Sequence, residues 1–391
     1  MRKFIACERL LLGLCLLLLL GCDPASGETI EAPVLVLDAR AGSVYLLGDK
    51  PYRLLQQSSL PYALHEKILT APDQRFAYLS SPEGWIVKLD IQAWRMSSPV
   101  GVGKQTSGMA LSHDGRYLMV ANESPARLVA LDARDMSVMR IFDVQDRQGK
   151  PSAIAALHTA AARNSFVAVM RDIPELWEIS YDEHAEPVYE GLVHDYRMNE
   201  GLALPGQFTP RRTILQTGLS HIGFDHSFTH AIGVAASGKL EIINLNVRRK
   251  IRDLDLGGSV QPDKSVVLEW PAGRMLVLPH ADEAWLSVVD MQSWHVVRRI
   301  ASGAGDQLLV THPQARHVWM ISAADNSAVQ ILDKQTLAIV PDVPAVISGS
   351  SAPLAWSREG KLAFLRDAKD ANEILVCDTQ TLAIVQRLRL P

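Results

Sequence analysis

The sequence predicts an all-β fold, an eight-bladed β-propeller built from four-stranded antiparallel blades. Three observations predict it. The first is a recurring unit, in which an apolar pair and an acidic or small residue precede a short turn and an outer strand. It appears at Leu47-Gly48, Leu89-Asp90, Leu131-Asp132, Ile179-Ser180, Ile243-Asn244, Val289-Asp290, Leu332-Asp333 and Cys377-Asp378. The steps between these eight anchors are 42, 42, 48, 64, 46, 43 and 45 residues, the period of four-stranded propeller blades. The second is the stretch 107–144, whose alternating apolar runs are separated by the turn signal His113-Asp114-Gly115-Arg116 and read as the strands of one blade. The third is composition. A hydrophobic content of 48%, with 25 Gly and 21 Pro, suits many short strands and turns and leaves no segment that needs a helical core.

Residues 1–22 read as a targeting segment. Arg2 and Lys3 give a basic start, Leu10 to Leu20 an apolar core, and Leu19-Leu20-Gly21-Cys22 a cleavage region. The Leu-x-Gly-Cys ending is similar to a bacterial lipobox, so Cys22 is expected to carry the lipid; an ordinary secretory signal with an incidental Cys is the other reading. Asp23 after it resembles an inner-membrane retention signal. These features place the chain on the periplasmic face of a bacterial membrane, inner membrane favoured. Residues 23–33 form a polar tether, and a single propeller domain occupies 34–391, its short first unit (34–59) pairing with the last to shut the ring.

Cysteine use agrees with export, because only Cys377 stays in the folded domain, in the strand-like EILVCDT, where a buried inert thiol is expected. A net charge of −4 offers neither a basic face for nucleic acid nor a polybasic membrane patch, which leaves the lipid as the sole membrane link. Partners are then small molecules or proteins.

Inner strands line the central channel of a propeller, and the loops entering them stand at its mouth. Counting back a fixed distance from each blade's first apolar pair puts His65, Thr106, Lys264, Asp306 and Ser351 in equivalent slots. These side chains are expected to converge at one end of the axis, as a ligand site or as an ordinary water-filled mouth. Arg171 follows an apolar strand, where it either meets a ligand carboxylate or pairs with Asp172. The long step, 182–218, reads as a lid carrying His194, Arg197, Arg211 and Arg212, or as a solvated charged loop. His221, His226 and His230 gather with Asp225 and allow a metal site, although their spacing is not that of a compact zinc motif. His312 beside Pro313 reads as a structural turn residue. Gly-x-Ser-x-Gly, His-Glu-x-x-His, phosphate-binding glycine loops and Cys-x-x-Cys-His haem attachment are all missing, so a bound cofactor is a better expectation than hydrolysis.

The segments PYALHEKI, VMRDIPELWEISY, VYEGLVHDYR, INLNVRRKI, LSVVDMQSWHVVRRI, VTHPQARHVW and ILDKQTLAIV cover most blades. Through them the chain from Val34 to Leu390 resembles the cytochrome d1 propeller family: the haem d1 domain of periplasmic nitrite reductase and the NirF- and NirN-like proteins of haem d1 biosynthesis. The resemblance implies haem d1 or a late precursor as cofactor, and nitrite reductase or other haem d1 assembly proteins as partners. His65, in its Tyr-Ala-x-His setting, falls where the family places the proximal iron ligand. His221 and His280 become candidates for the other face of the iron, and Lys104, Arg171 and Arg197 for the macrocycle carboxylates. The reductase's distal pair of His is not retained: Ser220-His221-Ile222-Gly223-Phe224-Asp225 carries its His one place late, and Gln261 replaces the second. A glutamine cannot deliver a proton as an imidazolium does, so nitrite reduction is not expected. A role in haem d1 maturation or delivery is the leading reading. The others are a cofactor-free propeller acting as an interaction scaffold, and a lactonase-like or metal-dependent enzyme.

Overall fold

The computed structural model describes residues 33–391 except 40–41, 49–50, 66–67, 191–201, 272, 304, 323–328, 349–352, 368 and 371. It is the expected eight-bladed propeller. Blades 1 to 8 span 34–59, 69–101, 104–143, 154–214, 219–254, 266–301, 307–339 and 353–389. All neighbouring strands within them pair antiparallel. Residues 1–32, with the targeting segment, the tether and Cys22, lie outside the described residues.

Chain direction sorts the loops. In each full blade the innermost strand comes first, so links between blades and turns from second to third strand lie at one end of the axis, the entry rim. Turns from first to second and from third to fourth strand lie at the other, the far rim.

The core is a set of eight seams rather than one mass. Each apolar cluster straddles two neighbouring blades, and the eight together close the ring. Tyr117, Met119 and Ala121 pack toward blade 4, whereas Leu118 and Val120, from the same strand, pack toward blade 2. Middle strands are therefore buried on both faces and read as continuous apolar runs, not as the half-buried alternation expected of a sheet with one wet side. A fully buried side chain of this size contributes about 1.5–3 kcal/mol.

Every sequence anchor ends the strand that precedes the outermost one. The acidic residue there is a turn device. The Oδ1 of Asp290 accepts from the N–H groups of Gln292 and Ser293 at 3.1 and 2.6 Å, and that of Asp333 from Gln335 and Thr336 at 2.9 Å each. Asp90, Asp132, Asn244 and Asp378 cap the same turn, as short carboxylates and amides do when they mimic a backbone turn. Four residues after each of these six, a non-glycine residue takes positive φ: Trp94, Met136, Arg248, Trp294, Leu337 and Leu382. Most of these plug the seam; Met136, Trp294, Leu337 and Leu382 are buried. The repeat is thus an Asx turn plus an apolar plug.

Two expectations change. Blade 1 has three strands among the described residues and shares none with blade 8. The ring closes by face packing of Val34, Val36, Tyr45 and Leu47 on Leu362, Phe364 and Val376. The Tyr52 N–H donates to Gln386 Oε1 at 2.7 Å, and Gln386 Nε2 donates back to the Tyr52 carbonyl. Arg366 pairs with Asp38 at 2.7 Å. The long step is an added hairpin, Val188–Glu190 paired with Leu202–Leu204, inserted before the outer strand of blade 4. Its stem springs from the far rim, so it does not rise as a lid beside His65. Arg211 and Arg212 are in that outer strand; Arg212 lies over the Trp177 ring and pairs with Glu175 at 3.6 Å, and Arg211 donates to the Glu186 carbonyl. Both are committed to the blade edge rather than to an acidic ligand.

Candidate functional site at the entry rim

His65 stands in the link that enters blade 2, half-buried, its backbone N–H held by the Ser80 carbonyl at 2.8 Å. Its Nε2 lies 2.8 Å from the Thr106 carbonyl. A carbonyl only accepts, so Nε2 carries the proton and Nδ1 keeps its lone pair. Thr106 is buried and fixed in turn. Its hydroxyl donates to Asn122 Oδ1 at 3.0 Å, and Asn122 Nδ2 donates to the Val102 carbonyl at 3.1 Å. A histidine oriented by a backbone carbonyl, with its other nitrogen unpartnered among the described residues, is the second-sphere arrangement of metal-ligating imidazoles. The donor set here therefore fits an iron-centred macrocycle at His65.

Of the predicted convergence, two separate contacts between neighbouring blades are present. His65 meets Thr106, and Lys264 forms an ion pair with Asp306; Ser351 lies outside the described residues. Hydrogen bonding from Lys264 holds the Asp306 carboxyl below its usual range against the opposing effect of burial, and Gln261 adds a further bond. Lys104 opens the inner strand of blade 3, exposed and with no ion pair among the described residues. Arg171, at the same rim, meets Glu123 at 3.1 Å and Asp172 at 3.7 Å, so the plainer reading of this residue accounts for its contacts. Arg197 and His194 lie outside the described residues.

The proposed histidine trio is not assembled. His221 sits at the entry rim in a β-bulge, with φ of 48°, its Nδ1 3.1 Å from Asp263. His226 and His230 belong to the far rim, where His230 bonds Asp225 at 3.1 Å and meets the Trp294 ring edge-on at 5.3 Å. The length of the inner strand separates them from His221, so one ion cannot join all three. His312 is at the far rim as well, its Nδ1 accepting from the Gln314 N–H at 3.2 Å in the expected turn role.

His280 is on the entry rim but walled in, its side chain 0% exposed and its Nε2 2.9 Å from Ser287 Oγ. Burial lowers its pKa, which keeps the ring neutral near pH 7. An imidazole so placed presents no nitrogen to the channel, unlike the second iron ligand that the resemblance implies. Reading the sequence alone missed Asn122 and Asp263. Asp263 stands two places after Gln261, in the motif whose histidine is replaced; Asn122 carried no signal, because its role depends on a neighbouring strand.

A cavity of ≈ 410 Å³ opens at the far rim among Thr70, Ser112, His113, His158 and Thr159. It is at the wrong end of the axis to be the site of His65. Cys377 is buried, and burial pushes its thiol up to about 12, as expected of an inert residue.

Fold and rim together define a class: a closed eight-bladed propeller that presents one oriented, half-free histidine and uncompensated charge at a single mouth. Within that class, the chain belongs to the family described as the cytochrome D1 heme domain, whose pattern it matches over residues 31–391. It is 26% identical over 330 residues to the dihydro-heme d1 dehydrogenase of Pseudomonas aeruginosa, an alignment covering 84% of this chain and 63% of that protein. The chain thus spans less than two thirds of that relative. Protein NirF of Stutzerimonas stutzeri is 23% identical, with 90% of this chain and 88% of the relative aligned. NirF of P. aeruginosa is 25% identical, with 96% and 93% aligned. Among solved structures, the dihydro-heme d1 dehydrogenase NirN in complex with DHE superposes with a TM-score of 0.78 at 24% identity, covering 92% of this chain and 73% of that one.

Proposed function

We propose that this chain is a lipid-anchored periplasmic propeller that binds haem d1 or a late precursor at its entry rim and serves haem d1 biosynthesis or its delivery to nitrite reductase. The observation that carries the reading is His65, its Nε2 committed to the Thr106 carbonyl and its Nδ1 left to a ligand. Family membership and a relative named as a dihydro-heme d1 dehydrogenase support the choice of tetrapyrrole. The bound group would supply the iron and the conjugated ring that carry redox chemistry. The chain's own part is to orient and hold. His65 offers the ligand nitrogen, Lys104 is a cation unpaired among the described residues and available to a macrocycle carboxylate, and Arg171 can join it by releasing Glu123. His221, set by Asp263, faces the same rim and is the remaining candidate for the opposite face of the iron. His280 has no place in this set. Gln261, which cannot carry a proton, argues against nitrite reduction at this rim. Membrane attachment is assigned to Cys22 through the lipobox-like sequence, at the inner membrane because of Asp23.

The test is a visible-spectrum titration of the full chain in detergent with haem d1, beside His65→Ala and with haem b as control. Saturable shifts with haem d1 that vanish in the variant support the reading. Absence of binding by the folded wild-type chain overturns it and leaves a cofactor-free interaction scaffold as the account of this propeller.

A further inference from the structure

The turn between the second and third strands of blade 6 holds a polar arrangement that the tetrapyrrole reading does not use. His280 is 1% exposed, and its Nδ1 has no close hydrogen-bond partner among the described residues, with the Gly257 backbone beside the ring. It points at Glu283 Oε2, also buried and unpartnered, across 3.6 Å. That gap is too long for a hydrogen bond between them. Ser287 Oγ can donate to Nε2 or accept from it; where it accepts, Nδ1 and Glu283 Oε2 are two lone-pair acceptors facing each other in a buried space, and a cation between them satisfies both.

The spacing suits an ion. Metal–nitrogen and metal–oxygen bonds of about 2.0–2.2 Å at a tetrahedral angle put two ligand atoms about 3.4 Å apart. Asp282 completes a group of three whose ligand atoms all lie within 4.8 Å of one another, the one such group among the described residues. Outer contacts resemble those of built metal sites: Ser287 orients the imidazole, and Asp282 accepts from the Ser259 N–H at 2.9 Å and from the Ser259 hydroxyl at 3.3 Å. The backbone wraps the same spot. Gly257 and Gly258 have φ of +69° and +61°, and a Cβ on Gly258 would stand 2.9 Å from Glu283 Oε2 and 3.0 Å from Asp282 Oδ1. Only glycine allows both this conformation and this approach. Arg299 is the nearby opposing charge; it donates to the Leu256 carbonyl and lies over the Trp285 ring. One positive charge against two carboxylates leaves the pocket net negative.

We propose that His280, Asp282 and Glu283 bind a divalent cation of the zinc type, pinning the link from blade 5 to blade 6 onto the blade 6 turn. One imidazole and two carboxylates select a borderline transition ion over Ca²⁺ or Mg²⁺, which take all-oxygen shells. Three protein ligands leave a fourth position, and exposed Asp282 puts it on the solvent side. The consequence reaches the candidate site. The pinned link continues into Gln261, Asp263 and Lys264, and the His280 carbonyl accepts from the Asp306 N–H at 2.9 Å. A bound ion would therefore set the wall of the rim across from His65 without touching the tetrapyrrole, and the site stands whether or not one binds.

The full chain in detergent, stripped with chelator and given Zn²⁺, should retain one ion per chain by elemental analysis after gel filtration. Co²⁺ in its place should give visible bands of a low-coordinate nitrogen–oxygen site. Glu283→Gln and Asp282→Asn keep size and hydrogen bonding at partly exposed positions, and each should weaken Zn²⁺ at least about tenfold in competition with a chromogenic chelator. His280→Gln should abolish retention, with circular dichroism confirming that it folds. Stoichiometric Zn²⁺ unaffected by Glu283→Gln and Asp282→Asn, or no retained Zn²⁺ in the folded wild type, overturns the proposal. None of these measurements contains haem d1, so their outcome is separate from that of the tetrapyrrole titration.

Discussion

The two rims are made from the same repeat, yet they differ in how completely their polar groups are satisfied. At the far rim, six blades cap the outer turn with an Asx side chain, and five of them seat an apolar residue behind it; the sixth, after Asn244, has exposed Arg248 there. At the entry rim, the links vary in length and leave buried polar atoms without partners among the described residues: Tyr62 Oη, Gln261 Oε1, His280 Nδ1, Glu283 Oε2, Trp285 Nε1 and Gln307 Oε1. Two further such atoms, on Thr209 and Trp319, are elsewhere. Buried polar groups are ordinarily bonded, so a concentration of exceptions at one mouth marks where the protein expects something else to bind. One rim keeps the ring shut; the other keeps its valences open.

The division can be broken by substitution. His65→Ala should remove the haem d1 shift, a loss of about 100-fold or more in affinity on the proposed reading, while moving the urea midpoint by no more than a surface change of about 0.5 kcal/mol does. Similar losses in both measurements would show that the entry rim also carries stability. Asp333→Ala should do the reverse. It deletes the Asx cap and the Arg316 pair at 2.7 Å from a side chain only 7% exposed. A cost of about 2–3 kcal/mol in urea unfolding is expected, with haem d1 titration unchanged.

The same aspartate sets an acid limit. Burial opposes its ionisation but is outweighed by hydrogen bonds from Thr336, Arg316 and Gln335, which bring the carboxyl to about 2. Because the folded value lies below the unfolded one, the stabilisation is full above about pH 4 and drains away as pH falls toward 2. It amounts to about 2 kcal/mol. Wild type and Asp333→Asn should differ in unfolding midpoint at pH 6 and converge near pH 2; a gap that persists at pH 2 would assign the effect to packing. The smallest effect is expected at Lys104. Lys104→Gln should weaken haem d1 by a few-fold, more at low salt than at high, and leave stability within about 0.5 kcal/mol.

This contrast also explains what the sequence makes legible. The eight anchors find the fold because Asp90, Asp132, Asp290, Asp333 and Asp378 each do one local job, and a local job repeats with the blade. Blade closure was less readable: two faces packed through Val34 and Phe364 leave no strand pattern to distinguish them from any other seam. The entry rim resists reading for a related reason. His65 is visible through its Tyr-Ala-x-His setting, but the Thr106 carbonyl that orients it is a backbone atom from another blade. His280 carries the same letter as a ligand and turns out to be enclosed by Ser287 and Glu283. His221, His226 and His230 lie within ten residues of one another, yet a single strand carries the first to the opposite mouth from the other two. Distance along the chain and distance across a propeller are unrelated quantities.

The seam between blades 8 and 1 has one more implication. Val34 and Leu390 share an apolar cluster, and among the described residues no strand crosses between those blades. The ring is therefore cut at a place no different in kind from its other joints. A circularly permuted chain, joined from residue 391 to residue 33 and reopened between blades 5 and 4, should assemble the same cylinder, with its starting point shifted by half a revolution.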